Sequence, residues 1–238
     1  MKSFTLLPTL SIFFPAYNEA AHIEEAITKA LKIAPQVSEK FEILVIDDGS
    51  KDRTGDIVSK ISKSHPQVKL ITHNPNKGYG EALKTGFYNS KYDWVAFTDA
   101  DGQFDINELP SFIAAQHQTQ ADLVIGYYRK RAVSWRRKLN TKIWQQLVWL
   151  MFGLNVRDID CGFKLINRRV TDTLPRLESG RGAFISSEFL IKARKAGFKI
   201  VEIPVTHYPR VAGKGTGADL NVIINSFLDL FKLWWKLK

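Results

Sequence analysis

The chain alternates compact apolar runs with longer segments whose apolar residues recur at helical spacing. Leu10 to Phe14, Glu42 to Ile46, Val68 to Thr72 and Trp94 to Phe97 are short, and rich in β-branched and aromatic residues, as buried strands are. Between them, Ala20 to Ala34 places Ile23, Ala26, Ile27, Ala30 and Leu31 on one helical face, with Asn18 as its candidate cap. Thr54 to Ser64 does the same with Ile57, Val58 and Ile61, and a further helix runs from Asn76-Lys-Gly-Tyr-Gly80 to about Asn89. This alternation predicts an α/β fold: a mainly parallel central sheet with helices on both faces.

The pattern continues with a helix over Asn107 to Gln118, a strand over Asp122 to Gly126 and a helix over Trp135 to Phe152. A loop follows at Asp158 to Lys164, then a helix over Ser186 to Ala196 that carries Glu188, and a last strand over Ile200 to Val205. The closing helix, Asp219 to about Leu237, gathers Leu220, Ile223, Ile224, Phe227, Leu230, Phe231 and Trp234 near one face. Trp235 lies beside that face, and Lys232, Lys236 and Lys238 stand near its end. Residues 1–218 are therefore expected to form the main domain, with 219–238 as an amphipathic helix suited to a membrane surface or, alternatively, packed on its own domain or on a second subunit. No run approaches the roughly 20 apolar residues of a spanning helix. The first residues, with one Lys and an apolar stretch broken by Pro8, do not read as a signal peptide.

Each conspicuous polar cluster follows a strand: 15–19, 47–50, 74–78 and 99–103. In a parallel sheet these clusters share the carboxyl edge, where open α/β sheets bind ligands. The most pointed is Asp99-Ala-Asp-Gly-Gln103, two carboxylates and an amide oxygen at a strand end. Oxygen ligands of this kind suit a hard divalent ion, Mg²⁺ or Mn²⁺. Taken alone, the same residues also read as a helix cap, Asp47 and Asp48 as a solvated turn, and Glu19 as a partner for a helix dipole.

Charge narrows the partners. Against 24 acidic residues stand 34 basic ones, a net charge of +10, which favours sugar nucleotides, phospholipid surfaces or nucleic acid. No helix-turn-helix, RNP or zinc signature accompanies the charge, and the acidic clusters fall in the expected cleft, so nucleic acid is disfavoured. A dinucleotide-binding dehydrogenase is disfavoured too, because Pro15-Ala-Tyr-Asn-Glu19 stands where a glycine fingerprint would follow the first strand. Cys161 is the single cysteine, which excludes an internal disulfide and fits a reducing compartment.

As an ordered set, PAYNE at 15–19, VIDDGSKDRT at 45–54, NKGYGEALKTGF at 76–87, DADGQ at 99–103 and DCGFK at 160–164 resemble the family-2 glycosyltransferases. Among these the chain is most similar to the polyprenyl- and dolichyl-phosphate sugar synthases, over about residues 8 to 210. The resemblance implies a GT-A fold and an inverting transfer of a hexose from a GDP- or UDP-linked donor to a polyprenyl phosphate, at the cytoplasmic face of a membrane. It also implies roles. Pro15, Tyr17 and Glu19 match the segment that holds base and ribose, and Ile46 and Asp48 the second nucleotide contact. Asp99, Ala100, Asp101 and Gln103 match the metal and diphosphate site. Arg129 and Arg210 match arginines near the donor and acceptor phosphates, and Lys214 a basic residue of the loop beyond. Arg136, Arg137 and Asp160 are candidates on the acceptor side. Glu188 falls where relatives with hydroxyl acceptors place a general base, so transfer to a saccharide or lipid hydroxyl is the second reading. The sequence departs from the pattern at Gly126-Tyr-Tyr-Arg129 and in the glycine-rich loop after Arg210.

Overall fold

The apolar runs become strands of one seven-stranded sheet, whose order from edge to edge is Val68–Thr72, Ser38–Asp47, Leu7–Ala16, Trp94–Phe97, Lys164–Asn167, Leu123–Tyr128 and Ile200–Val205. A computed structural model describes residues 5–129, 135–180, 182, 184–209 and 220–238, with backbone only at 135–140 and 220–225. Its strands are β1 (Leu7–Ala16), β2 (Ser38–Asp47), β3 (Val68–Thr72), β4 (Trp94–Phe97), β5 (Leu123–Tyr128), β6 (Lys164–Asn167) and β7 (Ile200–Val205). The β1, β2, β3 and β4 pairings are parallel, as is β5 with β7, while β6 runs antiparallel between β4 and β5.

Strand side chains alternate between two apolar layers, as the pleat requires. Leu10, Ile12 and Phe14 of β1 face one layer with Ile43 and Val45 of β2. Phe13 faces the other with Leu44, Ile46, Val95 and Phe97. The first layer is covered by α1 (Ile23–Val37), α2 (Thr54–Ser64) and α4 (Leu109–Thr119). The second is covered by α3 (Tyr79–Asn89), α5 (Trp135–Phe152), α7 (Phe184–Lys195) and α8 (Leu220–Leu237), and α6 (Arg168–Thr173) adds Val170 at its edge. Phe13 and Phe97 stack at 5.1 Å, and Phe87 meets them edge-on at 5.2 and 5.4 Å. α3 lies so close to the sheet that a Cβ on Gly86 would sit 2.4 Å from the Phe13 ring, so only glycine fits there.

Three local outcomes differ from the sequence pattern. Helix α1 begins at Ile23 rather than Ala20, and Asn18 does not cap it. Asn18 adopts a left-handed φ of 56° and accepts a hydrogen bond from the Lys51 amide at 2.7 Å. Strand β6 and helix α6 were not expected: a four-residue strand whose first three residues are all buried carries no alternation to read. In α8, consecutive residues point about 100° apart, so Leu230 and Phe231 separate. Leu230 and Leu233 enter the core and Phe227 meets Trp144 of α5 at 5.2 Å, whereas Leu228, Phe231 and Trp235 face outward.

Candidate active site

After β1 the chain moves outward to β2 and β3, then returns to the other side of β1 as β4. The loops leaving β1 and β4 therefore diverge and open a crevice at their carboxyl ends, the usual ligand position in such sheets. The register puts Pro15 beside Ile46 and Ala16 beside Asp47. Beyond the strand ends, side chains stitch the first two loops together. The Asn18 amide donates to Ser50 Oγ at 2.9 Å, Glu19 to Thr54 Oγ1 at 2.9 Å, and Ala20 to Asp52 Oδ2 at 3.1 Å. Pro15 and Ile46 are thus buried walls, Tyr17 stands 45% exposed at the lip, and Glu19 lies 3.4 Å from His22 Nδ1.

Asp48 sits deeper than a simple ligand contact. Its Oδ1 accepts from the Lys77 amide at 2.9 Å and is 2.6 Å from His73 Nδ1, and its Oδ2 accepts from the Gly78 amide at 2.8 Å. The Asp48 carbonyl accepts from Asn76 Nδ2 at 2.6 Å, and His73 Nε2 lies 2.9 Å from Thr85 Oγ1. This buried carboxylate organises the 76–78 loop by satisfying its amides, which would otherwise be orphaned.

The β4 exit carries the oxygen donors. Asp101 is 5% exposed, and its Oδ1 accepts from the Gln103 amide at 3.0 Å across Gly102, whose φ of 73° closes the turn. Gln103 donates through Nε2 to the Tyr208 carbonyl at 3.2 Å, leaving Oε1 as its acceptor end. Asp99 accepts from the Tyr79 hydroxyl at 2.9 Å, and Ala100 between the two aspartates is buried. Among the described residues, no group of three or more His, Cys, Asp or Glu comes together to cage a metal. Two carboxylates and an amide oxygen are a small, hard donor set, and it fits Mg²⁺ or Mn²⁺ completed by substrate phosphates.

The far wall is made by the ends of β5 and β7 and the start of β6. Arg129 leaves β5 exposed, its amide bonded to the Val205 carbonyl at 3.3 Å. Phe104, Tyr128 and His207 form a ring cluster with centroids 4.5 to 6.0 Å apart, which gives His207 a packing role. Asp160 is exposed, and its amide donates to Asp158 Oδ1 at 3.1 Å. The side chains of Arg136 and Arg137, and all of Arg210 and Lys214, lie outside the described residues.

Residues 11–174 match the sequence family described as Glycosyl transferase family 2. The chain belongs to this family. It is 29% identical over 211 residues to a dolichyl-phosphate β-glucosyltransferase of Trichomonas vaginalis, covering 82% of this chain and 64% of that protein. It is 26% identical over 235 residues to the glycosyltransferase AglD of Haloferax volcanii (96% and 37%). With an undecaprenyl-phosphate 4-deoxy-4-formamido-L-arabinose transferase of Proteus mirabilis it shares 28% identity over 233 residues (97% and 69%). The chain thus spans between 37% and 69% of the length of these curated relatives. Its fold matches glucosyl-3-phosphoglycerate synthase from Mycobacterium tuberculosis, crystallised with Mn²⁺, UDP-glucose and phosphoglyceric acid, at a TM-score of 0.70 and 21% identity over 93% of this chain and 79% of that one.

Within this family 2 chain, two buried charges shape the loops around the cleft, and the sequence pattern did not mark one of them. Lys164 is fully buried at the start of β6, where it donates to the Cys161 carbonyl and holds the 159–161 turn. Burial lowers the affinity of its amine for a proton, against the pull of Cys161, Asp158, Asp160 and Asp99. Burial also pushes the Cys161 thiol up to about 12, so it packs as an inert side chain. Glu188 is the second charge. Its Oε1 pairs with Lys192 at 2.7 Å and accepts from the Glu178 amide at 2.9 Å; its Oε2 accepts from the Ser179 amide at 2.8 Å and the Ser179 hydroxyl at 2.5 Å.

Burial by itself would raise the Glu188 carboxyl, but the Lys192 ammonium, the Ser179 hydroxyl and the two amides outweigh it and hold the group below the usual glutamate range. A carboxyl lowered on folding stabilises the fold above its unfolded value, and that contribution is lost as pH falls through the folded value. Glu188→Gln leaves Lys192 buried without its counter-charge. It should therefore destabilise the protein at pH 7 by about 3 kcal/mol, with the gap closing below about pH 4.3. Urea unfolding at both pH values measures this; equal stability of the two proteins at pH 7 would contradict the bracing role.

Proposed function

We propose that this chain moves a hexose from a GDP- or UDP-linked donor to the phosphate of a polyprenyl carrier, by single displacement with inversion. The observation that carries the acceptor class is Glu188: the carboxylate a hydroxyl acceptor would use as base is engaged through both oxygens inside the fold. A lipid phosphate needs no such base, because a phosphate monoester with a second pKa of about 6 is already ionised near pH 7. The names of the Trichomonas and Proteus relatives, each a transferase to a polyprenyl-type phosphate, support the same class.

In this reading an acceptor phosphate oxygen bonds to the anomeric carbon as the bond from that carbon to the nucleoside diphosphate breaks, and the leaving group keeps the electron pair. Pro15, Tyr17, Glu19 and Ile46 line the base and ribose pocket, and Asp48 sets the loop beside it. Asp99, Asp101 and Gln103 would hold Mg²⁺ or Mn²⁺, as the Mn²⁺- and Mg²⁺-bound structural neighbours suggest. That ion supplies charge neutralisation on the departing diphosphate. Arg129 and Arg210 hold donor and acceptor phosphates through the planar guanidinium fork, with Lys214 beside the donor. Arg136, Arg137 and Asp160 border the acceptor.

A polyprenyl chain stays in a bilayer, so the cleft must reach one. Two neighbouring helices present apolar side chains outward: Trp149 and Leu150 on α5, and Leu228, Phe231 and Trp235 on α8, of which Leu150 is 75% and Trp235 76% exposed. Among the described residues no helix is long and apolar enough to cross a membrane. Exposed Trp beside Lys232, Lys236 and Lys238 suits the headgroup layer of an anionic surface. Residues 219–238 would serve as a peripheral contact for the catalytic domain, on the cytoplasmic face.

Asp101→Asn should keep the fold and lower turnover by about a hundredfold, the scale of losing one major charge-stabilising element; ordinary turnover by this variant, or full activity of the parent in chelator, would refute the metal role. For the surface contact, the double variant Phe231→Ser, Trp235→Ser should keep its thermal midpoint, since both side chains are exposed. It should sediment with anionic vesicles at least about tenfold less than the parent. Parent protein that ignores such vesicles at low salt would rule the contact out.

A further inference from the structure

The two aspartates of the β4 exit are held by different means. Asp101 is fixed within its own turn, by the Gln103 amide. Asp99 is fixed from outside, between two other elements. On one side the Tyr79 hydroxyl donates to its Oδ1 at 2.9 Å. On the other, the backbone of the Asp160–Lys164 loop presses against Oδ2, so closely that a Cβ on Gly162 would stand 2.3 Å from that oxygen.

Tyr79 is itself over-determined. It is the first residue of α3, directly after Gly78, whose φ of 97° turns the chain into the helix. The Lys77 and Gly78 amides before it are gripped by the two oxygens of buried Asp48. One residue later, Gly80 lies against the Ser179–Gly180 backbone, where a Cβ would approach to 2.8 Å, and the Glu81 amide donates to the Gly180 carbonyl at 3.1 Å. The Tyr79 ring packs on the apolar layer beneath the sheet. Its hydroxyl is therefore carried to Asp99 by a frame rooted in Asp48 on one side and the Ser179–Gly180 turn on the other.

We infer that Tyr79 is a positioning residue for the metal–diphosphate site: its hydroxyl fixes the rotamer of Asp99, and Asp48 acts on that site through the 76–78 loop and Tyr79. This rests on the proposed use of Asp99 and Asp101 toward a divalent ion. A neutral phenol that donates to one carboxylate oxygen fixes the group without cancelling its negative charge. A carboxylate that swings between rotamers must be ordered each time the ion binds, which weakens binding.

The test is Tyr79→Phe, which removes one oxygen and keeps the ring, measured by calorimetry with UDP and with GDP, each with Mn²⁺ and with chelator. With Mn²⁺ present, the dissociation constant of whichever nucleotide the parent binds should rise about tenfold, as for the loss of a hydrogen bond to a charged group. In chelator the variant and parent should bind alike. The Mn²⁺ concentration giving half-maximal transfer should rise by a similar factor, with much of the turnover recovered at saturating Mn²⁺. As a second variant, Gly162→Ala, which displaces Asp99 from the opposite side, should show the same selective loss. Parent-like Mn²⁺ dependence in Tyr79→Phe, or an equal loss of affinity with and without the ion, would overturn the positioning role. If the parent itself binds neither nucleotide in Mn²⁺, the reading of the site fails and this inference with it.

Discussion

β1 is hydrogen-bonded on both sides to parallel neighbours, β2 and β4, and this pairing constrains everything that follows. A parallel neighbour needs a crossover helix, so every connection must pass over a face of the sheet and return to the same edge. The apolar alternation of β1, with Leu10, Ile12 and Phe14 to one layer and Phe13 to the other, demands helices on both faces. The loops that follow β1, β2, β3 and β4 have then only one place to go. β6, inserted antiparallel, begins at that same edge, with Lys164 beside Phe97, and so brings the end of the Asp160–Lys164 loop there from the opposite direction.

Acidic side chains do two kinds of work in this fold. Some brace the fold from inside. Glu42 accepts from Ser11 Oγ at 2.8 Å, from Lys69 at 2.9 Å and from the Lys91 amide at 3.0 Å, joining β1, β2 and the approach to β4. Asp48 and Glu188 do the same for the 76–78 and 178–179 turns. A buried carboxylate is tolerated because amides and counter-ions replace its water. Asp99 and Asp101 stand apart because each is held in place at the end of a strand facing the crevice. The braces fix the frame, and through Tyr79 the frame fixes Asp99, while Asp101 is held within its own turn.

This division explains which parts were legible in the sequence. Apolar period and strand–helix alternation located most elements, because burial on two faces leaves a strong trace in β1, β2 and α1. The Asp99–Gln103 cluster was legible because its residue types and its place after an apolar run both point to one chemistry. Asp48 was legible as important but not as a brace, since only the structure shows Lys77, Gly78 and His73 closing around it. Tyr79 lies within the NKGYGEALKTGF motif but drew no role of its own, because its partner Asp99 lies 20 positions away in the sequence. The α8 stripe was read as one face because hydropathy ranks Leu230 and Phe231 alike, whereas the helix turns one into the core and the other toward solvent.

Transfer itself is tested most directly with the full chain, Mn²⁺, polyprenyl phosphate in detergent and a panel of radiolabelled GDP- and UDP-sugars, with label counted in the solvent-extractable lipid. One donor should carry label into the lipid phosphate, in a reaction that stops in chelator. No lipid label from any donor, or label that appears only on a saccharide or lipid hydroxyl, would contradict a polyprenyl phosphate acceptor.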